Sequence, residues 1–478
     1  MGAENGEFSV SVMNEEVVAA VLPMQQHWLP LSNLDLLLPA LDVGVFFCYK
    51  NPNNNINKSN NKITFGSMVG CLKKALAQAL VSYYAFAGEV VSNTEGEPEL
   101  LCNNRGVDFV EAFADVELEC LNFYNPDHTI EGKFVPKKKN GVLAVQVTSL
   151  KCGGIVVACT FDHRIADAYS TNMFLVSWAE IAQPNKPNII TTTIVATTSH
   201  QPCFRRSLLG PRRPGSIHPS LHHMYIPISK LPPPPAIVVS PLLSRIFYVT
   251  AEQLHHLQSI TTSTTTTTTK RTKLECFSAF LWKMVASSTL RDKNSEKLIS
   301  KMGIVVDGRN KLGNNDKERE AMMESYFGNV LSIPFGEKLV KELVEKPLGF
   351  VADAVHEFLV DATTKEHFLG LIDWVEAHRP VPGLAKIYCG NANEGPSFVV
   401  SSGQRFPVGK MNFGWGKTVF ASYHFPWGGE TGYVMPLPSP LGNGDWVVYM
   451  HIGKMQLEVI ESEAADVFRP LTWDYLNQ

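Results

Sequence analysis

The chain is predicted to be an α/β protein of two similar-sized domains, and three observations point there. At 478 residues it is longer than one ordinary core accommodates, since domains run to about 150 residues. Hydrophobic residues make up 45% of it, enough for sizeable buried cores and too much for a disordered chain. Segments of helical and of hairpin pattern lie on both sides of a Thr-, Pro- and Gly-rich stretch near the middle, as mixed α/β units would. The expected division is 1–190, a crossover over 191–240, and 241–478.

The elements follow in order. Residues 13–50 hold short apolar runs, with Val45-Phe46-Phe47 reading as a strand end. NPNNNINKSNNK (51–62) is too polar to pack and reads as a loop. Apolar residues at helical spacing predict a helix over 67–88, stopping at Gly88. The β-branched segment 141–161, split by Gly153-Gly154, predicts a hairpin, and 166–182 is helical in pattern. From about 185 to 240, ITTTIVATTSHQPC, GPRRPGS and KLPPPPA mark the crossover. TTSTTTTTTK (261–270) reads as a surface loop, and 274–288 and 337–359 as helices.

Composition also excludes functions. Forty-two Lys and Arg against 46 Asp and Glu leave a net charge of −4, without the basic excess of a nucleic-acid binder. The nine cysteines are scattered and form no CxxC pair, so neither a zinc knuckle nor a thioredoxin-type site is expected, and no metal is implied. Scattered thiols fit a reducing compartment. The opening MGAENGEFSV lacks the basic and apolar regions of a secretory signal, and Leu34 to Phe47 is too short and too interrupted to span a bilayer. The expectation is a cytoplasmic monomer that engages neither membrane nor nucleic acid.

Most catalytic motifs are absent: no GxSxG, no HExxH, no GxGxxG after a strand. Gly416-Lys417-Thr418 resembles the end of a phosphate loop, but the first glycine of that loop would fall at Met411. The strongest local signal is CTFDHRIAD, which places His163 and Asp167 where a β-branched strand gives way to a helix. That junction can hold a side chain in a cleft. It can equally hold a core histidine beside a helix-capping aspartate.

Further blocks settle the comparison. LSNLDLLLP (31–39), ALVSYYAFAGEV (79–90), CNNRGVDFVEA (102–112), TFDHRIADAYSTNMFLVSWAE (160–180), LECFSAFLWK (274–283), VVDGRN (305–310), YFGN (326–329) and NFGWGK (412–417) follow one another as in the plant BAHD acyl-CoA-dependent acyltransferases, which the chain resembles over nearly its whole length. The resemblance implies a chloramphenicol acetyltransferase-like fold with an active-site channel between the two domains. It also implies acyl-CoA as co-substrate, with no permanently bound cofactor, and a small-molecule alcohol or amine as acceptor.

The chemistry agrees. Transfer from a thioester to an alcohol needs a base for a hydroxyl that is barely ionised at neutral pH, and a histidine can take that proton and return it to the leaving thiolate. The thioester is already activated, so no enzyme nucleophile is required. By resemblance His163 is the base, and Asp167 pairs with an arginine, Arg309 being the candidate, to fix the loop. The motif that reads DFGWG in the family begins here with Asn412. Asn412, Gly414 and Gly416 are then expected to shape a turn, Asn412 keeping a hydrogen bond but not the charge of the family's ion pair. Trp415 resembles a tryptophan proposed to donate to the oxyanion, though a packing role suits it equally. Lys270, Arg271 and Lys273 are candidates for the CoA phosphates.

For the acceptor, Asp42-Val43-Gly44 stand where the shikimate and quinate branch has an HTPS-type stretch. Gly403 falls near that branch's tryptophan, and Lys386 lines up most nearly with its carboxylate-gripping arginine. Asp42, facing a pocket, would repel an acidic acceptor. Phe46 could line an apolar acceptor site or be a core strand residue. The texture is closest to members acylating alcohols of the coniferyl kind from acetyl-CoA. An alkaloid alcohol or amine, and hydroxycinnamoyl transfer to shikimate or quinate, remain as alternatives, as does a non-catalytic binding protein on the same fold.

Overall fold

The computed structural model describes residues 7–55, 62–183, 201–231, 241–264, 270–290, 297–313, 316–390 and 394–478. Two large mixed sheets organise it. The first has six strands in the order Val10–Val18, Val107–Ala114, Leu143–Leu150, Ile155–Asp162, Asp42–Tyr49 and Phe420–His424. The second has eight, centred on Ile299–Asp307, Ser397–Ser401, Gly432–Pro438, Trp446–Gly453 and Leu242–Val249. Each mixes parallel and antiparallel neighbours.

The predicted hairpin is Leu143–Leu150 with Ile155–Asp162, in register from Leu143 opposite Phe161 to Ser149 opposite Ile155. Nearly every residue of both strands is buried, as expected of central strands covered on two faces, which is why they read as continuous apolar runs. Helices Phe65–Ser82 and Ala168–Ala182 pack on this sheet, tied together where the Trp178 indole N–H donates to the Leu72 carbonyl at 3.0 Å. Thr64 and Ser67 form a capping box at the start of the first helix, satisfying donors that the helix leaves open.

On the second sheet the strands alternate. Phe247, Phe398, Val400, Val434, Val448 and Met450 face a helical layer built from Ala251–Thr264, Lys273–Ser287, Val340–Glu345, Leu348–Ala362 and Lys454–Glu463. Ile246, Val399, Met435, Leu437, Val447 and Tyr449 belong to the core shared with the first sheet.

Four expectations change. The helix expected over 337–359 is a strand end, Phe335–Leu339, followed by two helices broken at Pro347; Pro347 has no N–H to continue the first of them. The Thr tract is not all loop, because helix Ala251–Thr264 runs into it; its residues 265–269 lie outside the described ones, as do 56–61 of the Asn-rich stretch. The crossover, described over 201–231, carries the Tyr225–Pro227 strand, paired with Gly383–Ala385. Lastly, Phe420–His424 pairs with Asp42–Tyr49 and completes the first sheet, so the expected division at 190/241 is crossed by one strand from the far end of the chain.

Candidate active site

His163 follows directly on the Ile155–Asp162 strand. Its backbone N–H donates to the Leu41 carbonyl at 2.9 Å, which ties it to the entry of the neighbouring strand. The ring is half-buried; its Nδ1 is buried and makes no hydrogen bond. With Nδ1 shut off, Nε2 is the ring nitrogen left to exchange a proton with a ligand.

Asp167 is the N-cap of helix Ala168–Ala182, accepting from the Ser170 N–H at 2.9 Å. Its carboxylate also takes two bonds from Arg309, Nη1 at 2.7 Å and Nη2 at 3.1 Å, and one from the Val330 N–H at 3.2 Å. Both partners are buried, 1% and 2% exposed. Burial works against the Arg309 charge, but Asp167 and Asp307 outweigh it and hold the guanidinium proton above its ordinary value. The same Arg309 Nη2 also reaches the Gly328 carbonyl at 2.9 Å and Ser170 Oγ at 3.0 Å, and the guanidinium carbon lies 4.4 Å from the centre of the Tyr169 ring. The Asp167 lone pairs are so occupied, and the carboxylate makes no hydrogen bond to the His163 Nδ1. The arrangement can fix a loop; it does not offer Asp167 as a proton relay.

The chain neighbours of His163, Asp162 and Arg164, line a cavity of about 350 Å³ together with Ala40, Leu41, Asp42, Lys138, Pro426 and Trp427, within the size range of ligand pockets; His163 itself is not on that wall. Asp162 and Arg164 flank the histidine and pair with each other, Nε to Oδ1 at 3.0 Å and Nη2 to Oδ2 at 2.6 Å. Asp42 lies on the cavity wall, and Lys138 Nζ stands 3.2 Å from its Oδ1. Burial raises the Asp42 carboxyl above the ordinary carboxylate range against the pull of Lys138. Two carboxylates face two cations, so the expected repulsion of an acidic acceptor by Asp42 is cancelled. Trp427 is braced edge-on by Tyr388 at 5.3 Å and anchored by its N–H on the Thr431 carbonyl at 3.0 Å. Lys138, Arg164 and Trp427 were not singled out from the sequence; the Lys137-Lys138-Lys139 run was the available signal.

The structure does not bring the other candidates here. Phe46 is fully buried, edge-on to Phe420 at 5.7 Å, on the opposite face of its strand from Val45 and Phe47: it is a core residue, not a cavity wall. Trp415 packs edge-on to Tyr49 at 5.8 Å. Tyr49 pairs with Ile155, whereas Asp42 pairs with Asp162 beside His163; seven residues of extended strand separate the two ends, roughly 23 Å. Trp415 is thus at the wrong end of the sheet to donate to an oxyanion at His163. The Asn412 Oδ1 accepts from the Gly414 N–H at 2.9 Å and the Gly416 N–H at 3.3 Å. Those glycines have φ of +99° and +109°, a turn that only such residues adopt without strain. The missing charge is not needed for it.

Arg271 is 4% exposed and engaged with Asp353 through Nε at 2.9 Å and Nη2 at 2.7 Å, so it serves the helical layer, not a phosphate. Lys273 Nζ lies 3.2 Å from His255 Nε2, and Lys270 is exposed; neither lines the cavity. Lys386 is half-buried in the single turn Lys386–Tyr388 and is also absent from the cavity wall. Among the described residues no group of His, Cys, Asp and Glu could hold a metal ion, and no helix is long and apolar enough to cross a membrane. All nine cysteines are free.

A strand-end histidine with one ring nitrogen shut off, an aspartate locked by a distant arginine, and a cavity lined by the histidine's chain neighbours form a site whose relatives can now be compared. Shikimate O-hydroxycinnamoyltransferase of Nicotiana tabacum is 24% identical over 462 residues, covering 93% of this chain and 96% of that one. (Z)-3-hexen-1-ol acetyltransferase of Arabidopsis thaliana is 26% identical, covering 91% and 92%. The same fold occurs in the crystal structure of F. graminearum TRI101 complexed with coenzyme A and deoxynivalenol, with a TM-score of 0.71 at 15% identity over 92% of this chain and 99% of that one. The family model described as the Transferase family matches residues 8–467, and the chain accordingly belongs to that family, the BAHD acyltransferases, and is an acyltransferase.

Proposed function

We propose that the protein transfers an acyl group, acetyl in the first instance, from a CoA thioester to the hydroxyl of a neutral aromatic alcohol of the coniferyl type. What supports this reading is the half-buried ring of His163, its Nδ1 shut off from solvent, between two residues, Asp162 and Arg164, that line a cavity with one aromatic wall, Trp427, and a charge-balanced rim. A planar ring suits the indole face. The pairing of Asp42 with Lys138 and of Asp162 with Arg164 removes any strong preference for a cationic or an anionic acceptor. That weighs against an alkaloid amine and against shikimate or quinate alike.

In this mechanism His163 Nε2 takes the acceptor hydroxyl proton as the oxygen attacks the thioester carbonyl carbon. The tetrahedral intermediate then collapses: the C–S bond breaks, the ester carbonyl re-forms, and the proton passes from Nε2 to the CoA thiolate. Every atom of donor and acceptor is accounted for without an acyl-enzyme. Asp167 and Arg309 keep the loop in place and take no proton, in keeping with a positioning role. The CoA donor is supported by a structural neighbour of the same fold crystallised with coenzyme A.

The test is thiol release by purified protein from acetyl-, benzoyl- and coumaroyl-CoA, each offered coniferyl alcohol, shikimate, quinate, an amino alcohol and a polyamine. The expected result is fastest release with acetyl-CoA and coniferyl alcohol, reduced about 10²-fold or more by His163→Ala. Faster turnover with the polyamine or with quinate overturns the acceptor; undiminished turnover in His163→Ala overturns the base.

A further inference from the structure

His163 is held by its carbonyl as well as by its N–H. The Asn329 side-chain Nδ2 donates to the His163 carbonyl at 2.9 Å, to the Arg164 carbonyl at 3.2 Å and to Asp35 Oδ1 at 2.9 Å. The backbone N–H of Asn329 reaches that same Asp35 Oδ1 at 2.7 Å. The other Asp35 oxygen accepts from the Ser32 N–H at 2.8 Å and its Oγ at 2.7 Å. Asp35 and Asn329 are both wholly buried. The carboxylate thus sets the plane of the amide, and the amide grips the two peptide units that follow the His163 Cα. The next residue, Val330, grips Asp167, so one short segment holds both ends of the HxxxD loop.

The Asn329 Oδ1 is buried and meets no protein donor, so this side chain is held through its amide nitrogen. Gly328 before it has φ of +145°, and a Cβ there would stand 2.7 Å from Arg206 Nη1 and 3.3 Å from Asp35 Oδ1; the backbone is shaped to deliver the amide to this place. Arg206, from the crossover, closes the arrangement by donating to the Phe327 carbonyl at 2.6 Å and the Pro30 carbonyl at 3.2 Å.

We infer that Asn329, oriented by Asp35, is a positioning residue for the catalytic base, fixing the direction of His163 Nε2 through the main chain; this rests on the reading of His163 as the base. A double-mutant cycle separates that role from a merely structural one. It uses whichever donor and acceptor pair of the panel above the wild type turns over fastest, with thermal unfolding followed beside the kinetics. Asn329→Ala is expected to lower kcat about 10- to 100-fold, as small misplacements of a catalytic group do, with both KM values within about threefold. In the His163→Ala background the same substitution is expected to change the residual rate by less than about twofold, because residues acting as a unit are not additive. Should Asn329→Ala not fold, Asp35→Asn, which keeps the volume and removes the orienting charge, carries the same cycle. An unchanged kcat, or an equal loss in both backgrounds, overturns the proposal. A His163→Ala variant as fast as wild type overturns the underlying reading instead.

Discussion

Asp167 and Arg309 are the pair whose disruption is simplest to forecast residue by residue. Asp167→Asn leaves a buried guanidinium with only Asp307, at 3.2 Å, as counter-charge, and breaking one side of a buried pair costs about 3–5 kcal/mol. The urea midpoint should drop accordingly, and a double variant, Asp167→Asn with Arg309→Met, should recover part of the loss because no charge is left stranded. Asn412 is milder. Its Oδ1 holds two backbone donors, so Asn412→Ala should cost about 1 kcal/mol, while Asn412→Asp keeps the acceptor and should shift stability by no more than about 0.5 kcal/mol. A large rise in melting temperature for Asn412→Asp would mean that an ion-pair partner waits there after all. His163 and Asp167 were legible because their spacing is local and sits at a strand-to-helix junction. Asp35 and Asn329 stood in blocks that were recognised, LSNLDLLLP and YFGN, yet their role was not legible. It exists only where segments 294 residues apart in sequence meet.

At the scale of elements, the Asp42–Tyr49 strand separates what sequence could and could not say. An apolar run with nearly every residue buried declares a central strand but not which of its faces meets the cavity. Phe46, open from the sequence between a pocket wall and a core strand, is a core residue, whereas the wall residue Trp427 comes from the loop after Phe420–His424, a strand whose pairing with Asp42–Tyr49 no local pattern announces. The two aromatic residues should respond oppositely to truncation. Phe46→Ala should cost about 3–5 kcal/mol of stability through the cavity it leaves, with the acceptor KM unchanged in whatever protein remains folded. Trp427→Ala should raise the acceptor KM about tenfold, the value of one aromatic contact of roughly 1.4 kcal/mol, and leave the melting temperature nearly as it was. Equal KM values in wild type and Trp427→Ala would remove that cavity from the acceptor site. The break at Pro347 teaches the complementary lesson: the helical spacing over 337–359 was real, but one residue without an N–H divided it.

Across the whole molecule, charge pairs and strand pairing join segments far apart in the chain. Phe420–His424 completes the first sheet, Arg309 reaches Asp167, and Arg379 donates to Glu97 at 2.8 and 2.6 Å. Stability against acid is set elsewhere, by two histidines buried in neutral form. His367 on helix Lys365–Glu376 bonds Ser332 Oγ at 2.7 Å, and burial, opposed by Asp361, pushes it down to about 4. His451 bonds Ser244 Oγ at 3.0 Å through Nδ1, and burial, opposed by Asp127, brings it also to about 4. In the unfolded chain both titrate near 6.5. Between pH 6.5 and 4 the unfolded state therefore binds up to two more protons than the folded state, so stability is fully present above pH 6.5 and declines as pH falls through that window. The slope is at most about 1.4 kcal/mol per pH unit for each histidine. Glu97, held below the ordinary range by its hydrogen bonds with Arg379, and Glu131, held there by His424, add their loss only below the range where free carboxylates titrate. Asp42 and Asp307, raised by burial, act with the opposite sign. Urea midpoints measured from pH 7.5 to 4.5 should fall with decreasing pH, starting near 6.5. Replacing both histidines with glutamine, which can still bond the two serine hydroxyls, should flatten the upper part of that decline. A double variant as pH-sensitive as the wild type between pH 6.5 and 5 would show that the protons are taken up at other groups.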